Sequence, residues 1–278
     1  MSSGAAIFDA PGPRGKNVMR VVTVVSLIII AWAAYMAYRQ FDINGQLQWR
    51  RWQQFTQWPI QRFMLRALWH TLVAAALAAV IALPLGVILA AGRLSKNFLI
   101  RWPSVAVIEF FRAVPLLLII YIFFFALPTY GINPSLFWKL VIPIGLCEGA
   151  VMAEVFRAGI LALPHGQAEA GAAIGLTERQ TFFRIVFPQA VRMVVPSLVA
   201  QIVILLKDTT LGYAVSYSEL QNSVQLLTNI RPESLVQAYL IVSVIYVLIN
   251  GTISGAARLL DRRWSAGSRR GRNLSNIA

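Results

Sequence analysis

Glu169-Ala170-Gly171-Ala172-Ala173-Ile174-Gly175, then nine residues, then Ile185-Val186-Phe187-Pro188: this stretch is polar and lies between two long apolar runs. Its flanks read as membrane, so the segment 162–188 must lie at a membrane face. Its composition predicts two short helices, Gln167–Ile174 and Glu178–Val186. Pro164 and Gly166 stop the preceding helix, and Gly175 allows the turn. Pro188 opens the next helix where a missing N–H costs little. Such an element suits docking of a soluble partner.

The composition agrees with a membrane setting. Of 278 residues, 58% are hydrophobic and 13% charged, against about 25% charged in a soluble domain. The net charge of +14 is distributed at the ends of apolar runs, as cytoplasmic anchoring requires. It forms no stripe on a soluble domain, which argues against nucleic acid. The single cysteine, Cys147, excludes an intramolecular disulfide, and no Cys/His cluster points to a metal. Cys147 reads as a small buried apolar residue.

About 20 helical residues cross a bilayer core of about 30 Å. Six runs are expected to do so: Val18–Tyr38, Ala67–Ala91, Val105–Leu127, Phe137–Leu161, Gln189–Leu206 and Leu235–Leu259. The chain is therefore expected to be all-α and integral to the membrane. A signal peptide is the alternative for the first run, with Ala31-Trp32-Ala33 as a loose cleavage site. The run exceeds the usual h-region, and Trp32, Tyr35 and Tyr38 resemble an interfacial aromatic belt, so an uncleaved helix is expected.

Basic residues set the orientation. Arg14 and Lys16 precede the first run and Arg20 stands at its start, and Arg93, Lys96 and Arg101 follow the second. Arg258 stands at the end of the sixth, and Arg262, Arg263, Arg269, Arg270 and Arg272 follow it. These segments and the Glu169 loop fall on one side, expected to be cytoplasmic, with both termini there. The order is thus a tail (1–17), an extra helix (18–38), an external amphipathic segment (39–66), a transmembrane domain (67–260) and a basic tail (261–278). The external segment breaks the charge rule with Arg39, Arg50, Arg51, Arg62 and Arg66. Its Trp49, Trp52, Phe55 and Trp58 recur at helical spacing, which predicts a helix on the outer surface.

The fifth run is the weak one. Its uncharged part, Met193–Leu206, gives about 21 Å of helix before Lys207-Asp208-Thr209-Thr210. Charges at that depth belong beside protein or water, so a broken span lining a translocation passage is expected. An ordinary helix end with Lys207 snorkelling is the alternative. Two i, i+3 pairs, Glu109/Arg112 and Glu154/Arg157, and the deeper Glu148 are further candidates for that passage, or for structural pairing between helices. Gly86 with Ala82, Ala90 and Ala91, and Gly145 with Gly149, read as close-packing positions.

Glu-Ala followed by Gly175, Ile185 and Pro188 at this spacing resembles the EAA loop of ATP-binding-cassette importer permeases. Glu109-Phe110-Phe111-Arg112-Ala113-Val114-Pro115 resembles the E-x-F-R-G-T-P run of polar amino acid permeases, with Ala113 and Val114 in place of Gly-Thr. Ala153-Glu154-Val155-Phe156-Arg157-Ala158-Gly159-Ile160 is similar to A-E-x-x-R-G-G-I. Leu206-Lys207-Asp208-Thr209-Thr210-Leu211 is similar to L-K-D-T-S-L. The four motifs stand in the family's order over residues 66–260. Phe8–Arg14 and the added first span look most like the glutamate-uptake permeases.

The resemblance implies a type I importer permease with a five-helix core plus one N-terminal helix, in the plasma membrane. It implies a second, similar or identical permease, two ATPase subunits that carry ATP and Mg, and an external solute-binding protein. Glu169, Ala170, Gly171, Gly175, Ile185 and Pro188 would form the ATPase-coupling loop. Gly171 departs from the usual Ala, and Phe187 from the usual Leu. The expected solute is a polar amino acid, glutamate by the closer likeness.

A secondary transporter or channel is the alternative, and internal inverted repeats or a dedicated ion site would mark it; neither is found. A membrane enzyme has only His70 and His165 as imidazoles, with no nucleophile–base or metal-ligand spacing. No G-x-x-x-x-G-K-[ST] is present, since Gly15-Lys16 is followed by Asn17. The chain itself is expected to bind no cofactor.

Overall fold

The computed structural model describes residues 12–164 and 166–274; His165 and the stretch Phe8–Pro11 lie outside them. Among the described residues every regular element is helical. The chain divides between Gln57 and Trp58 into two units.

The first unit is dominated by α1, Pro13–Ile43. Proline stands at its start, where its fixed φ favours a helix. Leu27, Ile28, Ile30 and Trp32 are all exposed on it, as a helix surrounded by lipid requires. Gly45, at φ +64°, turns the chain. The expected surface helix is instead two short pieces, α2 (Trp49–Trp52) and a 3₁₀ turn (Gln53–Thr56). Gln57 is extended, and Trp58 already belongs to the next helix. Pro59, which suits a helix start, explains the interruption.

The second unit is built on α3 (Trp58–Arg93) and α6 (Leu136–Leu161). α3 is longer than the expected Ala67–Ala91, while α6 matches the expected fourth span within one residue. They meet along a seam without side chains on one partner. A Cβ on Gly86 would lie 2.9 Å from Met152 Cβ, one on Gly145 2.8 Å from Ile81, and one on Gly149 2.8 Å from Leu85. Ala74, Ala78, Ala82, Ile144 and Met152 fill the surrounding core. The small residues thus allow the close helix approach that van der Waals packing in a membrane rewards.

The third expected span, Val105–Leu127, is not one helix. α4 (Phe98–Ala113) and α5, which runs Leu116–Thr129 through a π turn at Ile122–Ala126, meet at 99°. Val114 is extended because it precedes Pro115, and Pro115 lacks the N–H that would continue the ladder. Among the described residues, five helical runs are long and apolar enough to cross a membrane, and the bent pair makes a sixth if counted as one span.

After α6 come α7 (Gly166–Ala173) and α8 (Glu178–Thr181). A π turn at Phe182–Val186 joins α8 to α9, Phe187–Asp208. The expected short fifth span is corrected here: α9 has 22 residues, or about 33 Å. Its helix includes Pro188–Arg192 before the uncharged part and Lys207-Asp208 after it. A 3₁₀ segment (Thr209–Val215), α10 (Leu220–Ile230) and α11 (Leu235–Leu274) complete the chain.

Candidate functional site

The loop joining α6 to α9 is organised by its glycines and one capping box. α7 ends in a left-handed turn at Gly175, φ +78°. The Leu176 N–H donates to the Gly171 carbonyl (3.1 Å) and the Gly175 N–H to Ala172 (3.0 Å), the paired bonds of a Schellman ending. α8 begins two residues later. The Gln180 N–H donates to Thr177 Oγ1, and Gln180 Oε1 accepts from the Thr177 N–H, so orphan donors are satisfied in both directions. Glu169, Ala170, Ile174 and Pro188 are exposed, and Ile185 is half-buried.

The two halves of the loop pack on Gly171. A Cβ there would stand 2.6 Å from Thr181 Cγ2 and 3.2 Å from Ile185 Cδ1. The missing methyl at residue 171 is therefore matched by Thr181 on α8. Gln189 Nε2 donates to Gln167 Oε1 at 2.9 Å, tying α7 to the start of α9. Lys96 reaches Glu178 at 2.7 Å in a solvent-exposed pair.

The candidate passage residues separate into two groups. Glu148 on α6 is buried and accepts a 2.6 Å hydrogen bond from Gln201 Nε2 on α9. Asp208, at the end of α9, faces the same carboxyl within hydrogen-bonding reach. Lys207 is exposed, and no ion pair joins it to Asp208 among the described residues. Consecutive helical residues point about 100° apart, so of the two charges expected beside protein or water only Asp208 turns inward. Thr209 is fully buried, its hydroxyl donating to the Leu206 carbonyl, and Thr210 donates to Lys207.

The second group lies elsewhere. Arg93, the last residue of α3, places Nη1 2.8 Å from Glu109 Oε1 and 3.0 Å from Glu154 Oε1. Arg112 stands 3.6 Å from Glu109, and Arg157 3.0 Å from Glu154. The two i, i+3 pairs of the sequence are therefore one chain of charges across α3, α4 and α6. Arg93 was legible only as a basic flank, because its partners are remote in sequence.

A third polar group escaped sequence reading. Glu219 is fully buried and accepts from the Gln221 and Asn222 N–H groups, both at 2.6 Å. Thr71 Oγ1 accepts from the Leu220 N–H. Together they cap α10 inside the protein, where unpaired donors would be costly. His70 Nδ1 lies 3.0 Å from the Ser218 carbonyl, a structural contact. Cys147 is free and buried.

The family model described as "binding-protein-dependent transport system inner membrane component" matches residues 82–266. The chain belongs to that family. It is 35% identical over 237 residues to the glutamate transport system permease protein GluD of Corynebacterium glutamicum, covering 82% of this chain and 84% of that one. It is 31% identical to the L-cystine transport system permease protein TcyB of Bacillus subtilis, over 74% and 87% of the two chains. A third relative, the probable glutamine ABC transporter permease protein GlnP of Bacillus subtilis, is 33% identical over 69% and 89%.

Among solved structures, an amino acid ABC transporter with histidines superposes with a TM-score of 0.69 at 25% identity, over 74% of this chain and 95% of that one. A bacterial alginate ABC transporter, at 16% identity and a TM-score of 0.58, shares the fold. The chain is thus an amino acid ABC importer permease, an all-helical multi-pass membrane protein. Its membership sets aside the secondary transporter or channel.

Proposed function

We propose that this permease imports polar amino acids, glutamate among them, by alternating access driven by separate ATPase subunits. The observation that carries the reading is the loop: an exposed helix bearing Glu169, a fixed turn at Gly175, and a second helix running on into α9. Displacing such an element would move α6 and α9 as bodies. Two ATPase subunits holding ATP and Mg, a second permease and an external solute-binding protein are the partners this mechanism requires. The loop, the Arg93 end of α3 and both termini would face the cytoplasm.

The facing carboxyls of Glu148 and Asp208, with Gln201, Thr209 and Thr210 beside them, are proposed to border the passage. Acidic groups suit the ammonium common to all amino acids. Nothing in this pair selects the second carboxylate of glutamate, so the external binding protein is assigned that choice.

The test is reconstitution in proteoliposomes with ATPase subunits that copurify with the tagged permease. ATP-dependent uptake of labelled glutamate, supplied with binding protein, is expected; absence of any ATP-dependent amino acid uptake would reject the reading. Cysteine labelling at residues 50 and 265 is expected to occur from opposite membrane faces, and labelling of both from one face would reject the orientation.

A further inference from the structure

α4 does not climb beside α3. Glu109 stands about three full turns beyond the start of α4, where an antiparallel helix would have risen about 16 Å, yet its carboxyl meets Arg93 at the very end of α3. α4 therefore lies across that end and turns by 99° into α5, which packs against α6. Gly92 supports the crossing, since a Cβ there would collide with the Ser104 side chain of α4.

The three helices joined by Arg93 are not held equally. α3 and α6 are locked by the glycine seam, and a charge pair adds little to that register. α4 contributes one fully buried side chain at its contacts, Ile108, and leaves Leu99, Trp102 and Phe110 exposed. Apolar contacts of this kind are non-directional and let a helix slide. The Arg93–Glu109 bond is directional and fixes position. Arg93 is 22% exposed and Glu109 53%, so this bond is partly sheltered on the arginine side. The neighbouring Lys96–Glu178 pair is 86% and 85% exposed, and such pairs contribute little.

We infer that Arg93 is a positioning residue for transport: it ties α4, and through the bend α5, to the α3–α6 body that the coupling loop moves. This rests on the ATP-driven reading above. When the loop shifts α6, the shared guanidinium carries α4 with it, and α5 follows through the bend. Without the bond, α3, α6 and the loop still move, and α4–α5 lags behind. Hydrolysis then continues while solute is not delivered.

The experiment uses the whole complex in proteoliposomes, measuring ATP hydrolysis and amino acid uptake on the same vesicles. Arg93→Gln is expected to keep hydrolysis within about twofold of the parent while uptake falls about tenfold, the scale of an ordinary coupling energy. Arg93→Lys restores most uptake, because a single nitrogen makes both present contacts. Glu109→Gln behaves like Arg93→Gln, and Glu154→Gln is milder because the seam already holds α6 to α3. Unchanged uptake in Arg93→Gln overturns the inference, as does a parallel loss of hydrolysis and uptake. A parent complex with no ATP-dependent uptake would remove the functional reading itself, and this inference with it.

Discussion

Gly171 and Thr181 interlock across the turn of the loop between α6 and α9: the glycine has no room for a methyl because the threonine side chain occupies it. Gly171→Ala is therefore expected to push α8 away from α7, with an overpacking cost of about 1–3 kcal/mol. Thr181→Ala in the same chain should recover most of the loss. Limited proteolysis of the loop and uptake by the complex measure both. Equal damage in the single and double variants would show that the contact is not the cause.

Gly175 is the position where the backbone demands glycine, at φ +78° with no side chain nearby. Gly175→Val is expected to strain the turn by about 1–2 kcal/mol and abolish uptake while the protein stays in the membrane. Gly175→Asn, which tolerates the left-handed region, should be milder. Normal uptake by the valine variant would sink the assignment of the loop.

The glycine seam makes a graded prediction. A methyl on Gly149 meets Leu85 Cδ2, the end of a flexible side chain, whereas one on Gly86 meets Met152 Cβ and the Gly149 carbonyl. Gly86→Ala should destabilise the detergent-solubilised protein more than Gly149→Ala, by about 1 kcal/mol, and so show the larger drop in thermal midpoint. The reverse order would mean that α3 and α6 meet differently in the membrane.

Lys207 and Asp208, adjacent in sequence, are expected to part company in function. Lys207→Ala leaves the Glu148 carboxyl and its contacts untouched and should change uptake less than about twofold, as exposed substitutions do. Asp208→Ala removes the group facing Glu148, and uptake is expected to fall at least about tenfold. Measured at equal membrane abundance, equal effects at both positions would return the two residues to a common role.

How legible this was in the sequence depended on whether information was local. The loop helices, the stop near Pro164 and the turn at Gly175 are written in neighbouring residues; the apolar runs locate the spans, but α3 starts well before its run and α11 continues well past its own. The seam glycines were recognised as packing positions without their partners. The single third span failed at Val114–Pro115, where hydropathy runs on although the backbone cannot. The fifth span was judged too short because hydropathy stops at Leu206, while the helix needs only hydrogen bonds and continues through Asp208. Arg93, Gln201 and Glu219 were missed because each acquires its partner only when remote helices meet.

The helical run from Glu178 to Val215 begins in the loop proposed to meet the ATPase and contains the carboxyl that faces Glu148. Each added residue turns an α-helix by about 100°. One residue inserted between Phe187 and Gln201 would thus swing either the loop or both Gln201 and Asp208 out of phase with the rest of the protein. The spacing between those points is itself under constraint, over and above the residues that fill it.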